Sequence, residues 1–189
     1  MELDEVIKKR KSVRKYSDEK PDWRLIIESI NYARYAPMAG GQFTLKFIVV
    51  SDKEKINQIS EATQQDFVGT AHYIVVVVSD REFVKKYYDH FDKGFGAQQA
   101  GAAIQNFLLA LTERGLSTCW VGFFYEDKIK RVLDIPEKMC VEAIFPIGKE
   151  HPFIKTREKK RIDIDSIVFF EKYGRKQMTK DTIQKFETI

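Results

Sequence analysis

YIVVVV, residues 73–78, is the longest strictly apolar run in the chain and the stretch on which the fold turns. A membrane-spanning helix needs roughly 20 such residues, so this run is too short to be one. Its β-branched content and its length mark a strand with no polar face. Such a strand needs helices on both sides of its sheet.

Working outward, LKFIVVSD (45–52) reads as a second strand running into a helix start, and CVEAIFPIG (140–148) as a third. STCWVGFF (117–124) reads as a strand running into a loop. The segments between them have helical periodicity. Trp23, Ile26, Ile27, Ile30 and Ala33 recur at i, i+3, i+4, i+7. A helix is expected over Lys53–Thr63, and a short one over Asp80–His90. GFGAQQAGAAIQNFLLALTERG (94–115) is the longest, with Gly115 as its stop. Its small residues, Gly96, Ala97, Ala100, Gly101 and Ala103, suit a tightly packed core or a subunit interface. Leu3, Val6 and Ile7 mark a first helix, and Ile129, Val132 and Leu133 another. IVFF (167–170) reads as a final strand or a docking arm. The expectation is an α+β fold in one domain, 1–189, with 162–189 as a C-terminal arm.

Of 189 residues, 43% are hydrophobic and 32% charged, a globular balance. The net charge of +4 does not by itself argue for nucleic acid, because 28 acidic residues are spread along the chain. Cys119 and Cys140 lack the number and spacing of a disulfide framework or a zinc site. The N-terminus is charged and has no apolar centre of a secretory signal. A cytoplasmic protein without membrane or nucleic-acid partners is expected.

The motifs of zinc hydrolases, serine hydrolases and P-loop enzymes are missing, and His72, His90 and His151 lack metal-ligand spacing. His72 reads as structural. Gly94 and Gly96 are followed by Gly101, too late for the third glycine of a dinucleotide fingerprint. Two basic clusters remain, KKRKSVRKY (8–16) and KTREKKR (155–161). Either alone reads as a solvated face. Together, near opposite ends of the chain, they suit a phosphate, which guanidinium groups bind bidentately.

The order of features is more telling than any one of them. R-x-S-x-R stands at Arg10, Ser12 and Arg14. ARYAP and a small-residue loop with Gln42 follow. Then come ERGLSTCWVGFF, FPIGKE and a late K-x-R. This arrangement resembles the nitroreductase family of FMN-dependent oxidoreductases, from about Leu3 to Gly174. The resemblance implies a mixed β-sheet sandwiched by helices and an interlocked homodimer with FMN at the interface.

On that pattern Arg10, Lys11 and Ser12 lie at the FMN phosphate, and Arg14 near the pyrimidine edge of the flavin. Lys159 and Arg161 complete the phosphate grip, with Lys160 replacing Lys159 if the register shifts by one. The loop Pro37, Met38, Ala39, Gly40, Gly41, Gln42 reaches over the partner's flavin. It is one residue shorter than the family pattern, with Gly41 and Phe43 where the family has an Asn and a Pro-Trp. Trp120, Val121, Gly122 and Phe123 lie beside the ring, and an N–H of Gly122 or Phe123 would bond flavin N5. Gln64 or Gln65 would bond the pyrimidine edge.

The implied activity is ping-pong hydride transfer from NADH or NADPH, through flavin N5, to a small oxidised acceptor such as a nitroaromatic or quinone. No catalytic side chain and no metal are implied, since the cofactor carries the chemistry. A specialised flavin role, such as reductive dehalogenation, flavin-consuming biosynthesis or sensing, stays open, as does a basic nucleic-acid module.

Overall fold

Every residue of β2 (Tyr73–Ser79) is buried, and its two faces feed two separate cores. Tyr73, Val75 and Val77 join one apolar cluster, and Ile74, Val76 and Val78 the other. This follows from the two-residue period of a strand. The computed structural model describes residues 1–88, 94–154 and 162–177. The chain divides into two units, Met1–Thr156 and Arg157–Ile189.

In the first unit a four-stranded sheet has the order β1-β2-β4-β3. The others are β1 (Leu45–Val50), β3 (Ser117–Thr118) and β4 (Cys140–Gly148). All three pairings are antiparallel, and an isolated bridge from Ser12 to Thr118 adds the one parallel contact among the described residues. The first core lies under α2 (Trp23–Ala33) and α5 (Phe95–Glu113), where Phe107 meets Phe47 and Phe145 edge-on at 5.9 and 5.7 Å. The second lies under α3 (Lys53–Thr63) and α6 (Glu126–Leu133). The sheet is therefore sandwiched by helices, as the polar-free β2 requires.

Local signals set the helix ends. Asp22 and Asp52 cap α2 and α3 by accepting from the N–H groups of Arg24 and Lys55. Gly115, at φ 71°, ends α5, and the N–H of Leu116 returns to the carbonyl of Leu111. The small residues of α5 serve close packing: Ala100 and Ala103 are buried, and a side chain at Gly96 would stand 3.1 Å from Cγ of Arg81. Arg81 opens α4 (Arg81–Tyr88) and ties it to β4 through a bidentate pair with Glu142, at 2.7 and 2.5 Å. The helix α1 (Leu3–Lys9) runs into the first basic cluster and contains its first two lysines.

STCWVGFF is the expected strand running into a loop: it pairs regularly only at Ser117 and Thr118, then once more at Val121 with Ile144. The cause lies on β4. Pairing stops opposite Ile147, one residue short of Pro146, which has no N–H to offer a neighbour. In the second unit, Ile167 of IVFF ends the short helix α7 (Ile164–Ile167), and Val168–Phe170 belong to no strand. There Phe169 and Tyr173 meet at 4.7 Å, while Ile162, Ile164 and Ile167 are exposed. Among the described residues no helix is long and apolar enough to cross a membrane.

Candidate functional site

The segment after α1 is extended and tied by its backbone to the sheet. The N–H of Val13 donates to Thr118 O at 2.9 Å, and that of Ser17 to Lys149 O at 2.9 Å. The N–H of His151 donates to Lys15 O at 3.0 Å. These bonds lock its rotation, and extended backbone alternates its side chains. Val13 is 2% exposed and faces the core. Lys11, on the same side of the alternation, pairs with Glu150 at 2.8 Å. By the same alternation Arg10, Ser12 and Arg14 share the other side with Tyr16; Arg10 and Ser12 are half-buried and Arg14 is exposed. Among the described residues neither arginine has an ion-pair partner and the Ser12 hydroxyl has no hydrogen bond.

Tyr16 fixes this geometry. Its phenol O–H points at the carbonyls of Val13 and Pro146, at 2.9 and 3.0 Å, and its side chain packs closely against Gly148. Burial pushes the phenol far above its ordinary pKa. Cys119 adds to the shift and Arg14 opposes it. Thr118 Oγ1 donates to the same Pro146 carbonyl at 2.8 Å. One proline carbonyl thus joins the basic segment, β3 and β4.

Arg14 leads to the rest of the site. Its guanidinium lies 5.8 Å from the ring centre of Phe67. Two residues before Phe67, the Gln65 amide donates to Phe123 O at 3.4 Å, and the N–H of Tyr125 donates to Ala62 O. The 120–125 loop is thereby held against the end of α3. Trp120 and Phe123 are exposed, and Trp120 rests edge-on against Phe145 at 5.6 Å. The N–H groups of Gly122 and Phe123 have no acceptor among the described residues. Of the two glutamines, Gln65 braces the loop, whereas Gln64 caps α3 at φ 54° with an exposed side chain. Val121 is an anchor: its side chain is buried and its N–H and carbonyl both pair with Ile144.

The Pro37–Gln42 loop belongs to the α2–α5 side, where Met38 packs on the first core. Among the described residues no hydrogen bond or ion pair joins it to Arg10–Arg14. Lys159, Lys160 and Arg161 lie outside the described residues. His72 is structural, its Nε2 3.2 Å from the carbonyl of Asp18. Residues that sequence reasoning missed include Phe67, Tyr16 and Gly148. Only the glycine ending an apolar strand left a signal.

The sequence model of the Nitroreductase family matches residues 7–67 and 58–149. The chain belongs to the nitroreductase family. A relative from Archaeoglobus fulgidus, whose name includes NADH dehydrogenase/NAD(P)H nitroreductase, is 31% identical over 144 residues, 74% of this chain and 80% of its own. An iodotyrosine deiodinase from Thermotoga neapolitana is 25% identical over 174 residues, 77% of this chain and 87% of its own. Among solved structures, an FMN-dependent nitroreductase from Clostridium difficile R20291 superposes with a TM-score of 0.75 at 26% identity. It covers 89% of this chain and 98% of its own.

Gly148→Ala would place a methyl group 2.9 Å from Cδ1 and 3.1 Å from Cβ of Tyr16, near the root of that side chain. Overpacking of this kind costs about 1–3 kcal/mol. Urea melts should show that loss, while Tyr16→Phe, which removes only the hydroxyl, should cost about 1 kcal/mol. A neutral Gly148→Ala would contradict the tight contact.

Proposed function

We propose that the chain binds FMN and acts as a flavin oxidoreductase, taking hydride from NADH or NADPH and passing electrons to a small oxidised acceptor such as a nitroaromatic or quinone. The observation that carries this reading is the free, same-sided set Arg10, Ser12 and Arg14, in a segment tied to the strand that leads into Gly122 and Phe123. Four extended residues span about 13 Å, so Arg10 and Arg14 do not grip one phosphate together. Arg10 and Ser12 serve the phosphate end. Arg14, held over Phe67, serves the far end of an elongated ligand, where the free N–H groups of Gly122 and Phe123 also wait. FMN has that shape, with a dianion at one end and a flat acceptor-rich ring at the other.

When bound, FMN supplies the redox chemistry, which no side chain here provides. The residues of the chain bind, orient and tune. The Arg14 cation favours added negative charge on the pyrimidine edge, and the backbone of 122–123 offers donors where the ring needs them. The exposed Trp120 and Phe123 present apolar surface to a flat partner.

A homodimer is part of the same reading. Leu3, Ile7 and Tyr35 are exposed on the α1–α2 side. An apolar cavity of about 520 Å³ opens there between α1, α2 and α5. A second copy would cover this surface and bring its Pro37–Gln42 loop to the flavin.

The second reading, reductive dehalogenation, is favoured by the deiodinase relative. Anaerobic reduction of the bound flavin by NADH or NADPH, then stepwise reoxidation, separates the two. Prompt reoxidation by quinones and nitroaromatics supports the first. Reoxidation by halogenated phenols alone supports the second, and failure of any nicotinamide to reduce the flavin contradicts the first.

Arg10→Ala should weaken FMN binding about 10- to 100-fold, the loss of one charge-assisted contact. Lys11→Ala, which removes a cation already paired with Glu150, should change it less than about threefold. Equal losses in the two variants, followed by flavin fluorescence, would contradict the one-sided arrangement.

A further inference from the structure

The Gly-rich loop is held at both ends by one buried side chain. Gln99, on α5, is 4% exposed. Its Oε1 accepts from the N–H of Ala39 at 3.1 Å, and its Nε2 donates to Thr44 Oγ1 at 2.8 Å. Between these anchors the chain makes a tight turn, with the N–H of Gly41 on Met38 O and that of Gln42 on Ala39 O. Gly40 and Gly41 both stand at positive φ, 58° and 69°, which favours glycine. Nothing lies within 4 Å of where a Gly41 side chain would begin, so this face of the turn is open.

A turn of Ala, Gly and Gly has no side chains long enough to anchor it. Among the described residues the Gln42 side chain reaches its own loop, at Gly40 O. Among the described residues the Thr44 end is also held by the Asp80 N–H on Thr44 O at 3.2 Å, whereas the Ala39 end is fastened to the body of the fold by the Gln99 amide and by Met38 packed on the first core. A buried amide that satisfies one group on each side of a loop holds those two points at a fixed separation.

We propose that Gln99 is the positioning residue that fixes the 39–43 loop, and that through it the enzyme sets its affinity for flat aromatic acceptors. This rests on the reading that the loop covers the flavin of the partner. Gly40 and Gly41 offer bare backbone, so a planar molecule slides beneath the loop only at a held height. Release of the loop lets the gap vary and weakens that fit, whereas chemistry after binding is unchanged.

Three variants test this in the FMN-loaded protein. Gln99→Leu removes both bonds, Thr44→Val removes one, and in Gln99→Glu a carboxylate still accepts from the Ala39 N–H and the Thr44 hydroxyl. Hydrogen exchange of the segment 38–45 should be about tenfold faster in Gln99→Leu, less so in Thr44→Val, and close to wild type in Gln99→Glu. KM for a quinone should rise about tenfold in Gln99→Leu with kcat within about threefold, and recover in Gln99→Glu. If Gln99→Leu fails to fold, Thr44→Val must show both effects at smaller size. Unchanged exchange and KM in a folded, FMN-loaded variant overturn the inference alone. A fall in kcat with KM fixed, or in stability only, overturns it too. Wild-type protein that takes up no FMN overturns the functional reading and this inference with it.

Discussion

Backbone hydrogen bonds that lash the Arg10–Ser17 segment to Thr118, Lys149 and His151 are the constraint on which the rest of the site depends. A loop rich in lysine and arginine normally spreads its charges into solvent. Once extended and tied, it has two sides, and the strand period sorts its residues between them. Val13 falls into the core and Lys11 onto Glu150. Arg10, Ser12 and Arg14 are left on the other side, where among the described residues neither arginine has an ion-pair partner and Arg14 rests over Phe67. The cluster becomes a directed surface because of main-chain geometry, not because of its charge.

The tie in turn depends on the end of β4. Pro146 cannot donate, so β3 ends early, and the proline carbonyl is taken by the hydroxyls of Tyr16 and Thr118. Gly148 has no side chain, so the Tyr16 ring can lie against it. Two residues that would weaken an ordinary strand interior thus receive the segment that bears the cations. Past the break the chain returns to β4 only at Val121, paired with Ile144, and the N–H groups of Gly122 and Phe123 beyond it have no acceptor among the described residues. The strand that ends too soon and the loop that is available for binding have one cause.

Much of this was legible in the sequence where the cause is local. The polar-free β2, the periodic α2 and the Gly115 stop of α5 all appear where their patterns place them. The two-sided helical cover followed from β2 alone. What was illegible depends on distant partners. Lys11 and Arg10 look alike in the chain, and only Glu150 tells them apart. STCWVGFF reads as a strand running into a loop, but only Pro146 beside it says where the strand stops. Gln99 lies in a helix of small apolar residues, where nothing marks a polar side chain as a clamp on a loop some 60 positions away. IVFF has the composition of a strand, but Ile167 ends a short helix and no strand is present among the described residues of its unit.

The central claim is that the same-sided set grips a phosphate, and the most direct measurement compares FMN with riboflavin on the flavin-free protein at fixed salt. The two ligands share the ring and the ribityl chain and differ only in the dianion. A charge-assisted contact is worth about 1.5–3 kcal/mol, so Arg10 and Ser12 together should favour FMN by about 100-fold or more. That preference should shrink as salt rises, since exposed charges are screened. Equal affinity for the two flavins would contradict the account.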